Sequence, residues 1–96
     1  MQKIQLIGKV VGVPKPEYSK GKDIVFFTLE AENEGPETVD QKPIYWCRSG
    51  DTSLLQKLTT GTRVWLEGPV RFRLIKDGSG ASIAVNVHCM FVKVLS

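Results

Sequence analysis

Thr62-Arg63-Val64-Trp65-Leu66-Glu67-Gly68-Pro69-Val70-Arg71-Phe72-Arg73-Leu74-Ile75 alternates along its length. Val64, Leu66, Gly68, Val70, Phe72 and Leu74 form one face, and Arg63, Trp65, Glu67, Arg71 and Arg73 form the other. Period two over so long a run marks a strand with one apolar side. Gly68-Pro69 interrupts its middle. Proline withdraws a ladder donor, so a bulge or sharp bend is expected there. Just downstream, Lys76-Asp77-Gly78-Ser79-Gly80 reads as a hairpin turn, because Asp-Gly favours the positive φ such turns need. Just upstream, residues 51–60 are the helix candidate. Asp51 or Ser53 caps its start, Leu54, Leu55 and Leu58 share a face, and Gly61 stands where helices often end. A helix of roughly ten residues is marginal alone, so this one has to pack on the sheet.

Working outward, residues 3–11 read as a first strand, with Ile4, Leu6, Gly8 and Val10 opposite Lys3, Gln5, Ile7 and Lys9. Pro14, Pro16 and Ser19-Lys20-Gly21-Lys22 read as a loop, made basic by Lys15, Lys20 and Lys22. Residues 23–32 are a second strand, with Val25, Phe27, Leu29 and Ala31 opposite Ile24, Phe26, Thr28 and Glu30. Residues 33–43, with Gly35, Pro36 and Pro43, read as a long loop. A third strand at 44–48 sets Tyr45 and Cys47 against Ile44, Trp46 and Arg48. The last strand, 82–95, puts Ile83, Val85, Val87, Cys89 and Phe91 in one phase, with Asn86 and His88 opposite. Val92 and Val94 reverse that phase, which predicts a bulge or an edge buried on both sides. Three strands, a short helix and two strands is the order of an all-β OB-fold, a five-stranded Greek-key barrel with one helix between strands three and four. Closure into a barrel removes edges that an open sheet would expose. Residues 1–96 are read as one such domain.

Composition agrees with a small globular chain: 42% hydrophobic and 24% charged residues in 96. No apolar run approaches the ~18–20 residues of a membrane span. Met1-Gln2-Lys3-Ile4-Gln5-Leu6-Ile7 alternates, unlike the apolar block of a signal peptide. Cys47 and Cys89 fit no metal spacing and are expected as buried, reduced thiols in the cytoplasm. A single histidine and no Gly-rich phosphate loop argue against an enzyme, and no cofactor or metal is expected. Thirteen Lys and Arg face ten Asp and Glu, but Glu30, Glu32, Glu34, Glu37 and Asp40 crowd one stretch that holds no base. Such a division lets one face attract a polyanion while a loop stays acidic, though a merely solvated surface looks the same.

Single-stranded nucleic acid is held by cations that track phosphates and by rings that stack on bases. Both occur on the polar faces here. Phe26, Trp46 and Trp65 are the candidate stacking rings. Lys9, Lys20, Lys22, Arg48, Arg71, Arg73 and Lys76 are the candidate phosphate contacts. An outward aromatic also serves as a rim or oligomer contact, and a one-residue slip in register inverts a whole strand. Tyr18 stacks or packs down, Tyr45 belongs to the core by phase, and His88 is read as surface decoration ahead of a phosphate contact.

Across nearly its whole length the chain resembles the bacterial single-stranded-DNA-binding protein (SSB) family. Leu58-Thr59-Thr60-Gly61-Thr62-Arg63-Val64-Trp65-Leu66-Glu67-Gly68-Pro69-Val70-Arg71-Phe72-Arg73 is similar to that family's fourth-strand segment. Lys3-Ile4-Gln5-Leu6-Ile7-Gly8-Lys9-Val10 resembles its opening strand, Pro14 and Tyr18 its first loop, and Phe27-Thr28-Leu29-Glu30-Ala31 its second strand. The resemblance implies sequence-tolerant binding of single-stranded DNA in replication, recombination or repair, without catalysis, by a homodimer or homotetramer. It carries the family's basic pair onto Arg71 and Arg73, its bend glycine onto Gly68 and, with an offset, its third-strand tryptophan onto Trp46. The family's flexible acidic tail has no counterpart after Ser96, and residues 49–60 are shorter than usual, so a tailless form is expected, which a minimal SSB of phage or plasmid type also fits. Trp46-Cys47 and Phe27-Thr28-Leu29-Glu30 are similar to the related primosomal replication protein N (PriB). That likeness implies the alternative of a primosome adaptor bridging replication or repair proteins, with Phe26 and Trp65 as interface anchors.

Overall fold

The computed structural model describes residues 3–32, 44–78 and 80–96. Its elements are β1 (Lys3–Ser19), β2 (Lys22–Ala31), β3 (Ile44–Ser49), α1 (Leu54–Lys57), β4 (Arg63–Asp77), β5 (Gly80–Cys89) and β6 (Phe91–Val94). β1 pairs with β2 and β4, β2 with β3, β3 with β5 in parallel, and β5 with β4. Those pairings close a ring of five strands, the OB-fold barrel expected from the element order. The acidic residues 33–43 lie outside the described residues.

Alternation fills the barrel. Val10, Val25, Phe27, Leu29, Cys47, Val64, Leu66 and Val87 are buried in one cluster, each in the phase its strand predicts. A large apolar side chain fully buried contributes ~1.5–3 kcal/mol, so this cluster dominates the stability of the ring. Leu54 and Leu58 join it from α1 and its C-cap, whereas Leu55 is exposed. The helix is therefore one turn, shorter than the periodicity suggests, and it is held by those two leucines. Asp51 shapes its approach by accepting hydrogen bonds from Ser53 Oγ at 2.6 Å and Ser53 N at 3.1 Å. The Ser53 hydroxyl holds the Asp51 carboxyl below the usual carboxylate range.

Two stretches correct the expectation. Pro14 and Pro16 do not lie in a loop: β1 continues through them to Ser19 and pairs with β2 from Lys15 to Ser19. The register shifts between Val11 and Lys15, and β4 pairs with β1 only at Lys3 to Lys9. The later half of β1 thus has one neighbour, and an edge beside a bulge tolerates residues without an N–H. Lys20 and Gly21, both at positive φ, turn the chain into β2. The second correction concerns Phe72, Leu74 and Ile83. They keep the predicted phase, with Leu74 paired to Ile83, yet are 65%, 58% and 66% exposed. The β4–β5 hairpin runs past the core, and its apolar side faces outward beyond the barrel.

The irregularity expected at Gly68-Pro69 falls in the partner strand. β4 runs unbroken, while β5 stops at Cys89 and β6 resumes at Phe91 with its register against β4 slipped by one residue. Met90 N donates to Glu67 O at 2.8 Å across the bulge. This accounts for the phase reversal at Val92, which packs against the core. Gly68 is required there, because a Cβ would fall onto the carbonyl oxygen of His88. Cys47 and Cys89 are free, buried thiols on the paired strands β3 and β5. Hydrogen bonding with Cys89 and then burial push the Cys47 thiol well up. Among the described residues no helix is long and apolar enough to cross a membrane.

Candidate nucleic-acid interface

Residues that pair across adjacent strands share a face, so the registers map the outside of the barrel. One row runs Val11–Thr28–Trp46–Asn86–Arg71 across β1, β2, β3, β5 and β4. The next runs Lys15–Phe26–Arg48–His88. Thr28 Oγ1 donates to Val11 O at 2.6 Å and ties the bulged part of β1 to this wall.

Three predicted residues meet here. Phe26 and Trp46 have ring centroids 5.7 Å apart and an interplanar angle of 52°. Arg48 Cζ lies 5.4 Å from the Phe26 centroid, in cation–π range. Trp46 is 38% exposed, enough to offer a ring face to a ligand. Arg48 Nε also donates to Glu17 Oε2 at 3.2 Å. The wall thus combines rings, a guanidinium and amide or imidazole edges in adjoining rows. Chemically it suits a planar, polyanionic ligand.

The other candidates fall around this centre. Arg71 is in the Trp46 row, and Arg73, paired with Ala84, follows on the same face of β4. Lys20 and Lys22 are exposed at the β1–β2 turn. Lys9 is exposed beside Glu30 and Arg63. Two candidates are set apart. Trp65 lies in another row, Ile7–Trp65–Lys93, on the far side of Gly68-Pro69 along β4 from Arg71. Lys76 pairs with Ala81 in the Phe72–Leu74 phase, on the opposite side of the hairpin from Arg73. Arg63, near Trp65, is taken up by Glu32 through bonds of 2.6 and 3.0 Å, which raise its pKa further.

Sequence reading puts Lys15 in a basic loop, without a place on the wall, and passes over Glu17 in the same stretch. The signal was present: Lys15 and Glu17 continue the odd-numbered outward phase of Lys9 and Val11. His88 is exposed and paired with Arg48, and Tyr18 is 72% exposed on the hairpin. Tyr45 packs against the core, as its phase predicts. Among the described residues no group of His, Cys, Asp and Glu is arranged to hold a metal ion.

No protein-family model matches the chain, and no curated protein matches it by sequence. Solved structures do match in fold. The small single-stranded DNA-binding protein from Streptomyces coelicolor superposes with a TM-score of 0.81 at 13% identity, over 97% of this chain and 93% of that one. The Plasmodium falciparum SSB in complex with ssDNA gives 0.74 at 19% identity, covering 100% of this chain and 96% of that one. The mitochondrial single-stranded DNA binding protein Rim1 from S. cerevisiae gives 0.72 at 12% identity, covering 99% and 95%. At such identities the likeness is one of fold: this chain shares the barrel of those three structures.

Proposed function

We propose that this chain binds single-stranded DNA without sequence preference and without catalysis, in replication, recombination or repair. The observation that carries the reading is the wall itself: Phe26 and Trp46 in contact, Arg48 over Phe26, and Arg71 in the Trp46 row. In this reading Phe26 and Trp46 stack on bases, at ~1–3 kcal/mol per base. Arg48, Arg71, Arg73, Lys9, Lys20 and Lys22 neutralise phosphates along the strand's path. Trp65 and Lys76 serve only a strand long enough to leave this wall. The fold shared with the SSB solved in complex with ssDNA supports the same reading.

Two further elements belong to the proposal. The chain works as a homodimer or homotetramer, a reading supported by the apolar hairpin side at Phe72, Leu74 and Ile83, which is exposed in a single copy. It works in the cytoplasm, which fits two free cysteines in its core.

The test is a titration of intrinsic tryptophan fluorescence with an unstructured single-stranded oligonucleotide and a matched duplex, at two salt concentrations. Strong quenching by the single strand alone, weakened by salt, is the expected result. Absence of quenching together with absence of complex by sedimentation overturns the reading.

A further inference from the structure

Among the described residues, Arg48 is a predicted phosphate contact whose guanidinium already has two partners on the wall. Its Nε donates to Glu17 Oε2 at 3.2 Å, and its Cζ stands 5.4 Å from the Phe26 centroid. Glu17 is on β1, in the row next to Lys15 and paired with Ile24, so it reaches Arg48 diagonally across β2. The two side chains are 39% and 42% exposed, which leaves the pair open to an incoming ligand. A guanidinium over one face of Phe26 excludes a base from that face. A carboxylate bound to that guanidinium occupies the position a phosphate oxygen would take.

We propose that Glu17 is a built-in competitor for the nucleic-acid phosphate: it parks Arg48 over Phe26 in the free protein and yields it when a strand binds. This rests on reading the Phe26–Trp46–Arg48 wall as the strand-binding face. A phosphate of the strand displaces the Glu17 carboxylate from Arg48, the guanidinium swings off the ring, and Phe26 becomes available for stacking. Glu17 acts through Arg48 and is a positioning residue. Its carboxylate tunes affinity downward, so that the free wall is neither fully cationic nor fully open.

The experiment compares binding of an unstructured single-stranded oligonucleotide by the parent, Glu17→Gln, Arg48→Gln and the double variant at one low salt concentration. Glu17→Gln is expected to bind about two- to fivefold tighter, the scale of one exposed ion pair. The gain is expected to vanish when Arg48 is already Gln, because no guanidinium is left to release. Glu67→Gln makes the same charge change on the Trp65 side of β4, where Glu67 accepts from Gln5. It is expected to change affinity less than Glu17→Gln does. Parental binding with Glu17→Gln equal to or weaker than the parent overturns the competitor role alone. A gain that persists with Arg48 replaced, or that Glu67→Gln equals, overturns it as well, since overall charge then explains the effect. A parent that binds no single strand removes the strand-binding reading and this inference together.

Discussion

Trp46 and Phe26 stand on neighbouring strands with ring centroids 5.7 Å apart and planes inclined at 52°. They are not directly opposite: Trp46 pairs with Thr28, and Phe26 with Arg48. This diagonal brings the rings into contact while their planes diverge. Two rings so inclined cannot lie flat on one base. They suit successive bases of a strand whose backbone turns between them, with Trp46 the more open platform.

Replacement of Trp46 by Ala should therefore weaken single-strand binding by roughly 1–3 kcal/mol, the loss of one stacked base. Trp65→Phe should leave the affinity for a short oligonucleotide nearly unchanged, since Trp65 lies in the Ile7–Lys93 row. The two variants also separate by fluorescence. Quenching should persist in Trp65→Phe and be largely lost in Trp46→Phe. Equal loss of quenching in both would place the strand along β4 past Gly68-Pro69.

Arg73 tests the phosphate side of the argument. It is exposed on β4, pairs with Ala84 and follows Arg71 on the same face. Arg73→Ala should flatten the dependence of log affinity on log salt by about 0.7, the share of one phosphate on a single strand. The weakening should be uniform across oligonucleotides of different sequence. A slope equal to the parent's, measured from 50 to 200 mM salt as in the usual range for such titrations, would remove Arg73 from the strand's path.

The limits of sequence reading show in particular residues. Val25, Phe27 and Leu29 against Phe26 and Thr28, or Cys47 against Trp46 and Arg48, were legible because period two assigns faces without knowledge of neighbours. The strand through Pro14 and Pro16 was not. Proline is tolerated there because β4 leaves β1 after Lys9, a fact of sheet order rather than of local sequence. That error hid Glu17, and with it the carboxylate that holds Arg48. Alternation also fixed the phase of Phe72 and Leu74 but not their depth, since period two reports the side of a strand and never where the barrel ends. Trp65 and Trp46 both read as outward, and only the pairing rows separate them.

Gly68 should be the least replaceable glycine described. Its missing Cβ is where the His88 carbonyl passes, at the bulge that divides β5 from β6. Backbone cannot swing aside as a flexible side chain does. Gly68→Ala should cost about 3 kcal/mol, the upper part of the range for overpacking, and lower Tm by on the order of 10–20 °C. Gly50→Ala is the control, with open space around its Cβ position. It should stay within about 0.5 kcal/mol of the parent. Thermal melts of the two variants check both numbers, and similar Tm values would mean that β4 and β5 part easily at the bulge.

The buried Cys47 thiol gives the protein an alkaline limit. Hydrogen bonding with Cys89 and burial raise the Cys47 pKa from its ordinary value of 9.0. The folded state thus keeps the thiol protonated at pH values where the unfolded chain forms thiolate. A raised folded pKa means stability fully present below about pH 9 and lost as pH climbs above it, because the native state then binds the extra proton. Each pH unit in that window costs up to about 1.4 kcal/mol through Cys47. Urea midpoints should fall between pH 8.5 and 10 as in any such linkage, more steeply in the parent than in Cys47→Ala. Below the window, an aromatic disulfide reagent should leave Cys47 and Cys89 unmodified in the native protein and label both once urea unfolds it. Rapid labelling of the native protein, or parallel pH slopes in parent and variant, would show that the two sulfurs reach solvent without global unfolding.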